Sequence, residues 1–258
     1  MHFVTSTDGT EIAYEKSGDG RPVVLIHGTS GTRMTWRFLV PLLSEEHTVV
    51  TYDRRGRGAS TDASEYGLDR EVDDAKSVLD AVEGKPVVFG HSFGGLVALE
   101  TVRSAEVDSL VLYEPALLTD RHAESHDVVA LMEELIQDGD ERRAVEAYFR
   151  RAGGMTDPDE ELLERGVSMV DTILRECRVV EEYRLDGTEV PVPTLLLKGE
   201  DGPQHLRDSV HRLHEYIGRS RLVKLKDVGH AGVVSDPEQV AEEVGAFVEE
   251  GRPATVNE

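Results

Sequence analysis

Short runs of apolar, β-branched residues alternate along the chain with longer stretches in which apolar residues recur every three or four positions. Two alternating segments on either side of Asp8-Gly9 predict an antiparallel hairpin at the start of the chain. Buried strands are predicted at 22–28, 47–53, 86–90, 108–115, 193–199 and 220–226, and helices at 36–43, 69–83, 93–102, 204–217 and 237–250. This alternation predicts an α/β fold, with a mostly parallel sheet of about eight strands covered by helices on both faces.

The alternation stops over residues 117–188, where no convincing strand pattern occurs. Three acidic helical segments are predicted there, at about 127–138, 141–152 and 159–183. We interpret 117–188 as a helical cap inserted into a core formed by 1–116 and 189–250, with 251–258 as a polar, flexible tail. Such a cap would lie over the carboxyl edge of the sheet, where open α/β sheets bind their ligands.

The chain is strongly acidic, with 51 Asp and Glu against 28 Lys and Arg and a formal net charge of -23. This surface repels phosphates and anionic lipids, so neither a nucleic acid nor a membrane is an expected partner, and it favours a salt-adapted source. A single cysteine, Cys177, excludes an internal disulfide, and no signal-peptide pattern opens the sequence. We therefore expect a cytoplasmic monomer or homodimer that acts on a small molecule.

Ser92 stands at the junction of a predicted strand and a predicted helix, in the stretch GHSFGG (90–95). A sharp turn crowds the backbone two residues to either side of its apex, and glycines occupy both of those positions. This pattern is typical of a nucleophile elbow, which holds a serine hydroxyl out toward substrate. The N–H of Phe93, at the start of the helix, is a candidate donor to an oxyanion formed beside Ser92.

A serine hydroxyl needs a base, and a second oxyanion donor must come from another loop. His230 follows the last predicted strand and is the candidate base. Gly28 allows the loop HGTSG (27–31) to turn, and the Thr29 N–H is the candidate second donor. His27 is expected to brace that loop rather than to transfer protons.

Four motifs occur in a familiar order: HGTSG (27–31), DRRGRGAS (53–60), GHSFGG (90–95) and Gly-His at 229–230. In that order and spacing the chain resembles the α/β-hydrolase superfamily, and most closely its small serine hydrolases with a helical cap. The resemblance implies the α/β-hydrolase fold, a Ser92–His230 pair, and neither a cofactor nor a metal.

The acid of the triad is where the chain departs from the superfamily pattern. The resemblance places an aspartate three residues after Gly199, but that position is Gly202. Asp201 lies one residue early, and a loop can absorb such a shift. Glu114, at the end of a strand expected beside that of Ser92, is the favoured alternative, and a dyad without an acid is the third.

Serine at the elbow favours acyl transfer, since epoxide hydrolases and haloalkane dehalogenases of the superfamily need a carboxylate there. We expect hydrolysis of a carboxylic ester or lactone through an acyl-enzyme. Hydrolysis of a C–C bond and cofactor-free perhydrolase (haloperoxidase) activity would use the same triad. A non-catalytic small-molecule receptor is the alternative of another class.

The substrate pocket is expected between core and cap. Apolar residues near both are the candidates for its lining, although such residues are more often plain core. They are Met34, Trp36, Phe93, Leu117, Leu118, Phe149, Met155 and Met169.

Overall fold

A computed structural model describes residues 1–123, 127–186 and 189–250. It contains one sheet of eight strands in the order β1-β2-β4-β3-β5-β6-β7-β8. The strands are β1 His2–Thr5, β2 Glu11–Ser17, β3 Arg21–Ile26, β4 His47–Tyr52, β5 Val87–His91, β6 Ser109–Tyr113, β7 Thr194–Gly199 and β8 Ser220–Leu225. β2 pairs antiparallel with β1 and β4, and every pairing from β4 to β8 is parallel. The predicted fold class and the hairpin at one edge of the sheet are therefore confirmed.

Eleven helices surround or cap this sheet in the described part of the chain. They are α1 Leu39–Leu43, α2 Leu68–Asp80, α3 Phe93–Val102, α4 Asp120–Ala123, α5 Val128–Gln137, α6 Glu141–Arg151, α7 Glu160–Val167, α8 Val170–Glu182, α9 Gln204–Tyr216, α10 Gly232–Ser235 and α11 Pro237–Glu250. A 3-10 turn at Arg33–Trp36 precedes α1, so the helix predicted over 36–43 is two short elements. No helix of the described ranges is long and apolar enough to cross a bilayer.

The central strands are apolar on both sides because helices cover both faces. In β3, Val24 and Ile26 belong to one hydrophobic cluster and Val23 and Leu25 to another. Since successive side chains of a strand point to opposite faces, these are the two faces of the sheet. Helices α2, α3 and α9 contribute to the first cluster, and α1 and α11 to the second. The result is a rigid sheet whose carboxyl edge can hold reactive side chains.

Residues 117–123 and 127–186 contain α4 to α8, called the capping helices below, and α5 to α8 share a hydrophobic cluster of their own. The helix predicted over 159–183 is two helices, α7 and α8, and α7 packs closely against α6. A Cβ at Gly166 of α7 would lie 2.4 Å from Val145 Cγ1 of α6. The four-residue α4 was not predicted, and the proposed tail, 251–258, lies outside the described residues.

Candidate active site

Ser92 occupies a strained turn between β5 and α3. Its φ of 56° and ψ of -124° are costly for a residue with a side chain. Glycine is required on both sides: a Cβ at Gly90 would lie 2.3 Å from the carbonyl oxygen of Gly94, and one at Gly94 would lie 2.1 Å from that of Ile26. The Ser92 N–H donates to the Tyr113 carbonyl at 3.0 Å. The turn is thus held at the carboxyl edge of the sheet, as an elbow requires.

His230 and Glu114 form a hydrogen-bonded pair at the same edge. His230 Nδ1 lies 2.8 Å from Glu114 Oε2, and Oε1 of the same carboxylate accepts from the Gly199 N–H at 2.9 Å. The Glu114 side chain is fully buried. A carboxylate in this position fixes the Nδ1–H tautomer and leaves Nε2 of the imidazole to accept a proton.

Asp201, the other candidate acid, is exposed to solvent, and no hydrogen bond or ion pair of its carboxylate occurs within the described ranges. The neighbouring Gly202 is more informative. A Cβ there would lie 2.0 Å from Glu114 Oε1. The Glu114 carboxylate therefore occupies the space that a side chain at 202 would need.

His91, which precedes the nucleophile, supports His230. Its Nε2–H donates to the His230 carbonyl at 2.8 Å, and the two imidazole centroids are 4.6 Å apart. Burial lowers the pKa of His91 to about 3, with the nearby His230 adding to that effect, so the His91 ring is neutral at ordinary pH. The Tyr113 hydroxyl donates to the adjacent Gly229 carbonyl at 2.5 Å. Sequence reasoning missed both supports, although the place of His91 inside the elbow motif was a usable signal.

The loop after β3 lies directly against the nucleophile. A Cβ at Gly28 would be 2.8 Å from Ser92 Cβ and 3.4 Å from Ser92 Oγ. His27 braces this loop: its Nδ1–H donates to the Gly28 carbonyl at 2.9 Å, and the Arg54 N–H donates to its Nε2 at 3.2 Å. Burial lowers the pKa of His27 well below its usual value. The Thr29 N–H remains a candidate donor at this loop.

A buried cluster of four charged side chains lies behind the candidate oxyanion donors. The Arg54 guanidinium is centred 4.6 Å from the Phe93 ring and pairs with Glu71 through two bonds, at 2.8 and 3.0 Å. Arg54 and Arg57 both bind Glu176, which comes from α8. These contacts connect α8 to the elbow.

One cavity contains both Ser92 and His230. Its volume is about 40 Å³. Its lining comes from the elbow, the loop after β3, the capping helices and α9: Thr29, Ser92, Ala116, Leu118, Tyr148, Ala152, Gly153, Cys177, Val180, His205, Leu206 and His230.

Of the apolar residues expected at the pocket, only Leu118 lines this cavity among the described residues. Met34 is 53% exposed. The others pack in the two sheet clusters (Trp36, Phe93 and Leu117) or in the cluster of the capping helices (Phe149, Met155 and Met169). The sequence analysis named Phe149, but its neighbour Tyr148 lines the cavity. Successive side chains of a helix point about 100° apart, so Tyr148 can face the cavity while Phe149 packs among the helices.

The structure also contains a group that could hold a metal ion. In the described part of the chain, Glu46, His47 and Glu249 bring ligand atoms within 4.8 Å of one another. His47 begins β4, so this group lies at the sheet edge opposite Ser92. It is therefore separate from the candidate active site.

Known proteins resemble this chain over nearly its whole length. A 2-hydroxy-6-oxo-6-(2'-aminophenyl)hexa-2,4-dienoic acid hydrolase of Metapseudomonas resinovorans is 26% identical over 93% of this chain and 88% of its own. A pimeloyl-[acyl-carrier protein] methyl ester esterase of Nitrosomonas europaea is 27% identical over 88% of this chain and 96% of its own. The solved structure of an alpha/beta hydrolase from Sphaerobacter thermophilus superposes with a TM-score of 0.81 at 28% identity, covering 96% of this chain and all of that one.

Residues 23–243 match the sequence model of the alpha/beta hydrolase family. That range contains the elbow, the loop after β3, the capping helices and His230. The eight-stranded sheet and the solved structure agree with it. The chain therefore belongs to the alpha/beta hydrolase family and is a hydrolase.

Proposed function

We propose that this chain hydrolyses carboxylic esters, including lactones, through an acyl-enzyme on Ser92. The observation that carries this proposal is that Ser92 and His230 line one cavity while the buried Glu114 carboxylate holds His230 Nδ1 at 2.8 Å. The esterase relative from Nitrosomonas europaea supports the ester as the substrate class.

In the first half-reaction, His230 Nε2 takes the Ser92 proton as Oγ attacks the ester carbonyl. The carbonyl oxygen becomes negatively charged and accepts hydrogen bonds from the Thr29 and Phe93 N–H groups. The tetrahedral intermediate then expels the alcohol, which leaves with the proton from His230. In the second half, water gives a proton to His230 and attacks the acyl carbonyl, and Ser92 regains its proton as the acid departs.

Three other activities fit the same cavity and are separated by product. A C–C hydrolase would cleave a β-diketone-like substrate rather than an ester, and a perhydrolase would form a peracid when hydrogen peroxide is added. A receptor would bind a small molecule without turnover. We place ester hydrolysis first because Ser92, His230 and Glu114 suffice for it, whereas the perhydrolase reaction also needs hydrogen peroxide.

The test is hydrolysis of p-nitrophenyl acetate, butyrate and octanoate, each at low and at several-molar KCl because of the acidic surface. Ser92→Ala should lower kcat by at least about a thousandfold, and Glu114→Gln by about 10⁴-fold because the imidazole loses its tautomer partner. Asp201→Asn is the matched control and should keep near wild-type turnover. Full activity in Ser92→Ala would refute the acyl-enzyme, and collapse of Asp201→Asn with full activity in Glu114→Gln would reverse the assignment of the acid.

A further inference from the structure

We propose that the hydroxyl of Tyr148, on capping helix α6, donates a hydrogen bond to the substrate oxygen that becomes negatively charged during attack by Ser92. The capping helices would thus supply a third donor, beside the Thr29 and Phe93 N–H groups. This inference rests on the proposed ester hydrolysis and deepens it by assigning a catalytic residue to the cap.

Contacts place Tyr148 beside the oxyanion loop. Gly28 is packed against Ser92, and the next residue, Thr29, lines the cavity. Tyr148 lines the same cavity, and the Thr29 side chain is close enough to it to lower its pKa. Tyr148 is the one tyrosine of the described residues that lines this cavity with Ser92 and His230.

The protonation of Tyr148 suits a donor. Burial, with Cys177 and Glu176 nearby, raises its pKa, so the phenol keeps its proton throughout the range in which an esterase works. The Thr29 side chain acts in the opposite direction and lowers the pKa, but burial is the larger effect. A protonated phenol can donate its O–H to an acceptor in the cavity.

The ring is held in place by the packing of α6. Tyr148 is nearly buried and its ring centroid lies 5.1 Å from that of Phe149. Helix α6 is tied to α7 by the close approach of Gly166 to Val145. A buried tyrosine hydroxyl normally finds a partner, and a rigid ring facing the cavity can present its proton without reorganisation.

The experiment compares Tyr148→Phe with Tyr183→Phe in the full-length protein. Tyr183 is the matched control, because its hydroxyl also joins the capping helices to the core, donating to Glu100 Oε1 at 2.5 Å, but it does not line the cavity. With p-nitrophenyl acetate, Tyr148→Phe should lower kcat by about 10-fold to 100-fold with little change in KM, whereas loss of a principal oxyanion donor costs about 10²–10³-fold. Tyr183→Phe should keep the wild-type kcat.

The second readout is the affinity for ethylboronic acid, measured by calorimetry, since boron forms a tetrahedral adduct with Ser92 Oγ. The affinity should fall in Tyr148→Phe by about the same factor as kcat/KM. Two results would overturn the inference and leave the proposed function intact. One is activity and boronate affinity within twofold of wild type in Tyr148→Phe, and the other is an equal loss in both tyrosine variants.

A wild-type protein that hydrolyses no ester would overturn the proposed function, and the boronate affinities would then test the hydrogen bond of Tyr148 by themselves. A wild-type protein that neither hydrolyses esters nor binds the boronate would refute both proposals.

Discussion

The buried charge cluster of Arg54, Arg57, Glu71 and Glu176 makes a quantitative prediction about stability. Two guanidinium groups and two carboxylates balance one another, and all four side chains are at most 1% exposed. Within the described residues, Glu176 is the carboxylate that Arg57 binds, and Arg57 Nε and Nη1 have no hydrogen-bond partner. Of the two arginines, Arg57 therefore depends more on Glu176. Glu176→Leu therefore leaves a buried cation without compensation.

The magnitude follows from what each arginine retains. Arg54 keeps its two bonds to Glu71, so its charge stays paired. Arg57 keeps none to a carboxylate, and removing one partner of a buried pair costs about 3–5 kcal/mol. Against a total stability of about 5–15 kcal/mol this is a large loss. For a chain of this size it corresponds to a fall in Tm of about 6–20 °C.

The assay is thermal and urea unfolding followed by circular dichroism, with Arg57→Met/Glu176→Leu beside the single variant. Replacing both members of the pair by apolar residues should restore most of the lost stability, because no buried charge is left unpaired. Arg142→Ala, which breaks an exposed pair with Glu160, is the control and should not shift the midpoint measurably. A Tm loss below about 2 °C in Glu176→Leu, or a double variant less stable than the single one, would refute this account of the cluster.

Three further predictions concern the candidate active site. Gly202→Ala should lower kcat strongly, because its Cβ would displace the Glu114 carboxylate. The double variant Glu114→Gly/Gly202→Asp should be more active than Gly202→Ala, because its new carboxylate takes the space beside His230 that Glu114 vacates; kcat/KM for p-nitrophenyl acetate measures both effects. His91→Leu should lower kcat by about tenfold, the value of a hydrogen bond of about 1–1.5 kcal/mol to the carbonyl of His230, while His91→Gln keeps a donor and should lose less. The free energy of unfolding should fall as the pH drops from about 6.5 toward 3, by up to about 1.4 kcal/mol per pH unit for His91. The cause is that His91 binds a proton in the unfolded chain but stays neutral in the folded one, and His27 acts in the same direction. Urea midpoints that do not change with pH would contradict this.

The fold was predictable because its signals are local. The central strands are short apolar runs between turn residues, and burial of both sheet faces follows directly from that composition. The elbow at Ser92 was predictable because glycines two residues to either side mark it in the sequence, although the atom that Gly94 makes room for, the Ile26 carbonyl oxygen, belongs to another strand. Neither inference needed knowledge of distant contacts.

The pocket was less predictable because its wall is set by how separate helices meet. An apolar face shows that a helix is buried, but not which of its side chains border a cavity and which fill a core. Phe149 satisfies the pattern and packs among the capping helices, while Tyr148 beside it lines the cavity. The close approach of Gly166 on α7 to Val145 on α6 is likewise a tertiary contact, which the periodicity of one helix does not reveal.

The choice between Glu114 and Asp201 shows what a spatial argument adds to counting residues. In the sequence, both carboxylates lie just after a strand and could each belong to a triad: Glu114 directly follows β6, and Asp201 lies two residues after the end of β7. In space, a side chain at 202 and the Glu114 carboxylate exclude one another, since the Cβ and Oε1 would be 2.0 Å apart. Glu114 also adopts a φ of 41°, which is costly for a residue other than glycine. Its carboxylate accepts bonds from His230 and from the Gly199 N–H, and these contacts stabilise the strained backbone. The glycine at 202 therefore leaves the space that the Glu114 carboxylate occupies, which agrees with the proposal that Glu114 is the acid of the triad.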